Sequence, residues 1–144
     1  MVDSMIQDRE ASRRFFLAVW EKYQDESPME PMEEMVLGVL LEHPEYHHLL
    51  KEDEDILMRE FTLDDGMVNP FLHMGMHITI REQVQINRPS GITGIYMNLV
   101  AGYETAHDLE HRMMDCLGEA LWTSQQNNTL PDERAYLECI KLIG

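Results

Sequence analysis

Basic residues are scarce in this chain. Of 144 residues only 11 are Lys or Arg, against 27 Asp or Glu, and the formal charge is −16 at pH 7 with histidine neutral. A phosphate backbone is bound by a stripe of Lys and Arg that displaces its counterions. Basic residues scattered through an acidic chain make no such stripe, so a nucleic-acid partner is excluded. An anionic membrane surface is disfavoured on the same ground. A basic protein partner or a cationic ligand remains compatible, and the charge also serves solubility.

Long apolar runs are missing too. No stretch approaches the ~18–20 apolar residues of a membrane span. The opening residues, MVDSMIQDREASRR, hold no apolar segment of the kind a signal peptide needs. The expectation is a cytoplasmic protein. Cysteine is rare: Cys116 and Cys139 are the only two and have no Cys-x-x-Cys spacing. They are expected to be buried, reduced thiols in a reducing cytoplasm, not a zinc site by themselves. There is no Gly-rich phosphate loop, no Gly-x-Ser-x-Gly elbow and no Cys/His catalytic arrangement.

An apolar share of 44% is ordinary for a globular protein. A chain of this length can bury a core without staples and matches one domain. Periodicity predicts helices over Arg9–Tyr23, with Phe15, Phe16, Val19, Trp20 and Tyr23 on one side, and over Met32–Glu42. Pro44 opens a short helix to about Leu50. Lys51–Asp55 is a solvated charge run, Ile56–Phe61 a further short turn, and Asp64-Asp65-Gly66 a turn signal. Asn69-Pro70 caps a helix to about Asn87. A strand over His77–Ile86 is the alternative there, because Ile78-Thr79-Ile80 and Val84-Gln85-Ile86 alternate. Ile92–Gly102, Glu104 to about Gln126, and a last helix capped by Asp132 and ending at Leu142 complete the pattern. The fold expected is all-α, a single-domain bundle of five or six helices.

Histidine carries the chemistry. The seven are His43, His47, His48, His73, His77, His107 and His111, and six of them form pairs spaced i, i+4. Such residues share one helix face at about 5–6 Å between Cβ atoms. Two imidazoles so placed can share an ion, since a Zn–N bond is about 2.0–2.1 Å. His43 and His47 bracket Pro44, so that pair straddles a helix junction and is set aside, with His48. His73/His77 and His107/His111 are the candidate metal ligands. Glu110 falls between Leu117 and Leu121 in rotation, inside the apolar arc of its helix. A buried carboxylate needs a partner, which a metal ion, a histidine or Arg81 could each supply.

Three metal arrangements match parts of this pattern. His107-Asp108-Leu109-Glu110-His111 fits the inverted zinc-peptidase sequence His-x-x-Glu-His, but such peptidases are much larger. Glu104-x-x-His107 and Glu45-x-x-His48 fit the Glu-x-x-His element of di-iron bundles, with Glu10 and Glu82 as guesses for the remaining carboxylates. A single ion, Zn²⁺ first and Fe or Ni as alternatives, held by His73, His77, His107 and His111 needs fewest assumptions. Glu110 would then be the general base of a metal-dependent hydrolase of unknown small-molecule substrate. Against these stands a structural role, with imidazoles donating to carbonyls and the chain acting as a non-enzymatic acidic interaction module. The twelve Met residues are read as core filler.

The stretches Arg14-Phe15-Phe16 with Trp20, His43-Pro44-Glu45-Tyr46-His47, Asn69-Pro70-Phe71-Leu72-His73-Met74-Gly75-Met76-His77, Arg81-Glu82-Gln83 and Cys116-Leu117-Gly118-Glu119 resemble a small bacterial family catalogued among domains of unknown function. The resemblance runs from about Arg13 to Leu142. It implies a single-domain helical protein, favours helix over strand for Pro70–Asn87, and implies no activity. Metal-binding four-helix bundles with histidines from several helices are similar in plan, which concerns fold alone.

Overall fold

The computed structural model describes residues 9–51, 54–58 and 69–143. Among these, all regular structure is helical, in seven α-helices and one 3-10 helix. The Asp64-Asp65-Gly66 turn signal and the second half of the expected Ile56–Phe61 turn lie outside the described residues, as do two residues of the charge run. The chain divides into two compact units, Met1–Ile78 and Thr79–Gly144.

In the N-terminal unit, α1 spans Arg9–Gln24 and buries Phe16 and Val19, two members of the predicted stripe spaced three residues apart. Ser27 to Pro31 break the chain, and Pro31 occupies the first turn of α2, Pro31–Leu41. Glu33 fixes that helix start by accepting from the Glu30 amide at 2.9 Å and from Lys22 Nζ of α1 at 2.7 Å. A 3-10 helix, Pro44–Leu49, follows, and α3 is the five-residue Glu54–Met58. Arg13 holds α3 from within α1. Its Nη1 donates to the carbonyls of Ile56 at 2.9 Å and Leu57 at 3.1 Å, and its guanidinium lies 4.7 Å from the Phe71 ring centroid. That arginine is 1% exposed, a buried charge balanced by carbonyl dipoles and an aromatic face. The core joins Phe16, Val36, Leu40, Ile56, Phe71 and Met74, with Phe16 stacked on Phe71 at 6.2 Å.

Helix α4, Pro70–Ile86, contributes its first half to this unit and its second half to the next. It is continuous, so the strand alternative for His77–Ile86 does not hold. Asn69 decides it: its Oδ1 accepts from the amides of Phe71 and Leu72 at 3.1 and 3.2 Å, starting a helix that the β-branched residues then continue.

In the C-terminal unit, Asn87 at φ +57° ends α4 and Gly91 at φ +103° starts α5, Ile92–Val100. Only glycine takes the latter geometry without strain. The Asn87 side chain accepts from the amides of Gly91 and Thr93 and so ties both ends of this turn. Thr105 caps α6, Ala106–Asn127, by accepting from the Asp108 amide at 3.1 Å. Asp132 caps α7, Glu133–Lys141, through the Ala135 amide. Leu109, Met113, Cys116 and Leu117 form the buried stripe of α6, and Tyr136 and Ile140 that of α7.

Cys116 and Cys139 are joined by a disulfide, with Cα atoms 5.8 Å apart. The expectation of two reduced thiols is thereby corrected. Cys116 belongs to the buried stripe of α6, Cys139 lies half-buried between Tyr136 and Ile140 of α7, and the short connection 128–132 folds α7 back on α6 so that the two meet. A spacing of 23 residues hides this in the sequence, because the pairing depends on where the turn falls. The helix count also exceeds the expected five or six. The 3-10 helix and the five-residue α3 are too short to show a periodicity. Among the described residues, no helix is long and apolar enough to cross a membrane.

Candidate metal centre

The N-terminal unit gathers three imidazoles. His73 and His77 lie one turn apart on α4, with ring centroids at 5.0 Å. His43 packs on both, at 5.1 Å from His73 and 5.0 Å from His77. His43 and His77 each offer a ring nitrogen within 4.8 Å of the other. His77 is 0% exposed and His43 2%, while His73 is half-buried.

His43 is placed by its neighbour. The residue before a proline is pushed out of the helical region, and His43 sits at φ −125°, ψ 61°, between α2 and the 3-10 helix. Its ring turns inward and stacks on Tyr46 at 5.7 Å, and its Nδ1 donates to the Val39 carbonyl at 2.8 Å. A carbonyl only accepts, so the proton is on Nδ1 and the lone pair is on Nε2. This is the arrangement metal-ligating histidines adopt, the second ring nitrogen being anchored to a carbonyl or carboxylate. Burial and the Glu45 charge push the Tyr46 phenol above its ordinary value.

His43 is the residue that sequence reasoning set aside. The proline taken as a reason to discard it is what turns it inward. Its former companion His47 faces elsewhere, donating Nε2–H to the Leu40 carbonyl at 2.6 Å and packing 4.4 Å from Trp20. His48 is exposed.

The C-terminal unit gathers the other pair. His107 and His111 lie one turn apart at the start of α6, with ring centroids at 4.3 Å and ring nitrogens within 4.8 Å of each other. His107 is half-buried and His111 exposed. Glu110, 2% exposed, is bound by Arg81, whose Nε donates to its two oxygens at 3.1 and 2.9 Å. Of the three partners the sequence left open for this carboxylate, Arg81 is one that supplies it. Arg81 lies one turn beyond His77 on α4. The Tyr96 phenol of α5 feels the pair as well: burial pushes it up, the Glu110 charge adds to that, and Arg81 opposes.

Each group has the chemistry to hold a metal ion. Two nitrogens bound to one tetrahedral Zn²⁺ stand about 3.3 Å apart at ordinary Zn–N lengths.

The model of a family described as "Domain of unknown function (DUF1841)" matches residues 8–142. The chain belongs to this family. The expected resemblance is thus confirmed at the level of the family, whose description carries no activity. No curated protein and no solved structure matches the chain.

Proposed function

We propose that this protein binds a transition-metal ion, Zn²⁺ first with Fe or Ni as alternatives, through its histidine groups: His43, His73 and His77 in the N-terminal unit, with His107 and His111 of the C-terminal unit as a second candidate pair. The anchored tautomer of His43 carries the reading, because a buried imidazole with Nδ1–H on a carbonyl presents Nε2 as a ligand. The sequence set of His73, His77, His107 and His111 lacks this residue. His73 stands 5.1 Å from His43 in the same group.

Neutral imidazoles suit a borderline-soft dication. They leave its charge intact inside a chain of net charge −16, where the surrounding field favours a cation.

Hydrolysis is the catalytic extension of this proposal. If one ligand position holds water, the ion lowers its pKa toward about 7. Glu110 would serve as base only by exchanging Arg81 for that water, so metal binding is proposed first and hydrolysis second.

Elemental analysis of untagged protein after dialysis tests the proposal. Bound metal near stoichiometry is expected, with loss on replacing His43 and His77 by Ala. Metal-free protein whose folding ignores a chelator would overturn it, and would favour the acidic interaction module that recruits a basic partner.

A further inference from the structure

The Cys116–Cys139 disulfide lies wholly within the C-terminal unit, and its two ends are not equally sheltered. Cys116 is 4% exposed in the buried stripe of α6, whereas Cys139 of α7 is half-buried. A cleft of about 240 Å³ opens on the bond and is lined by both cysteines. That volume is below the ~300–1,000 Å³ of pockets for drug-sized ligands, so a guest is small. A thiol entering the cleft meets Cys139 as the more accessible sulfur, which makes Cys116 the leaving group.

The walls decide which thiol that is. Among the described residues that line the cleft none is basic, and two, Glu119 and Asp132, are acidic. Asp132 accepts from the Ala135 amide and keeps its charge in doing so. Ser124, also in the wall, donates its hydroxyl proton to the Leu121 carbonyl at 2.9 Å, so its oxygen is left as an acceptor. Carboxylates and spare acceptors attract an ammonium group and repel an anion. The net charge of −16 acts in the same direction.

We propose that this cleft is a thiol–disulfide exchange site for small cationic aminothiols, taken up on Cys139 as a mixed disulfide. The aminothiol's thiolate attacks Cys139 Sγ and supplies the electron pair of the new S–S bond. The Cys116–Cys139 bond breaks, and Cys116 departs as a thiolate that takes a proton from water. One disulfide is exchanged for another, so no outside oxidant or reductant is consumed. The ammonium group lies against Glu119 and Asp132.

The exchange is reversible because α7 does not depend on the disulfide alone for its place. Tyr136, 4% exposed, donates its phenol O–H to Gln83 Oε1 at 2.7 Å, and Ile140, the residue after Cys139, is fully buried. Both anchors remain when the S–S bond opens, which keeps Cys116 beside Cys139. The Cys116 thiolate then attacks Cys139 Sγ, expels the aminothiol as a thiolate and restores the original bond. Occupancy of the site therefore follows the aminothiol concentration.

Three thiols of similar size test this: cysteamine, 2-mercaptoethanol and thioglycolate, which carry a cationic, a neutral and an anionic group. Each is added to the oxidised protein, the reaction is stopped with an alkylating reagent that caps Cys116, and the adduct is placed by peptide mass spectrometry. Each rate is divided by that of the same thiol with an uncharged small disulfide, which removes differences in intrinsic reactivity. The expected adduct is on Cys139, with cysteamine fastest and thioglycolate slowest by roughly tenfold. Glu119→Gln/Asp132→Asn, in which Asn still caps α7, should shrink that span severalfold. Equal relative rates, adducts mainly on Cys116, or no adduct from any of the three would overturn the proposal. A span that the double variant leaves unchanged would overturn it too, since the preference would then come from net charge and not from the cleft.

Discussion

Arg81 of α4 donates its Nε proton to both carboxylate oxygens of Glu110 on α6, at 3.1 and 2.9 Å. The carboxylate side chain is 3% exposed and the arginine 21%. The asymmetry sets what each substitution does. Arg81→Met strands a buried negative charge. Glu110→Gln leaves a guanidinium with a route to water. Removing one partner of a buried pair costs roughly 3–5 kcal/mol, and partial exposure of Arg81 reduces this to about 1–3 kcal/mol. Arg81→Met should be the more destabilising in urea unfolding. Equal stabilities would contradict the structure.

The disulfide predicts its own stability cost. Closing a loop of 23 residues restricts the unfolded chain by about 3 kcal/mol in the loop-entropy account. Cys116→Ser/Cys139→Ser should lower stability by that order, and mass spectrometry of unreduced protein should show the bond. Two thiols that alkylate freely under non-reducing conditions would contradict it.

Glu33 predicts acid behaviour. The Glu30 amide, and then Lys22, hold its carboxyl below the ordinary glutamate range. A depressed folded value means that the stabilisation is full above the unfolded value of about 4.3 and is lost as pH falls through the folded one. Glu33→Gln should therefore flatten the fall of stability below about pH 5, measured by urea unfolding across pH.

Tyr136 predicts the opposite limb. Burial raises its phenol far above the ordinary value. The neutral form is favoured in the fold, so its contribution is full below the unfolded value of about 10 and lost as pH rises beyond it. Tyr136→Phe should lower stability at neutral pH by about 1 kcal/mol through loss of the Gln83 bond. It should also weaken the alkaline dependence.

Much of the fold was legible in the sequence, and particular residues say why. Asn69 with Pro70, and Asp132, mark helix starts through local hydrogen bonds, which a sequence displays directly. The stripe of Phe16 and Val19 is likewise local. His73/His77 and His107/His111 were legible for the same reason, since i, i+4 spacing on a helix is a local property. The rest depends on tertiary placement. Cys116 and Cys139 meet only because the turn at 128–132 folds α7 back. His43 joins His73 and His77 only because the residue before Pro44 leaves the helical region and turns its ring inward. The Arg81–Glu110 pair lay between, since Glu110 on an apolar arc announced a need for a partner without naming it.

The visible spectrum of Co²⁺-loaded protein tests the proposed metal binding most directly. Intense d–d bands of a low-symmetry, nitrogen-rich site are expected, weakened or abolished by His43→Ala and by His77→Ala. Bands that survive both substitutions unchanged, or no band at all, would contradict the proposal.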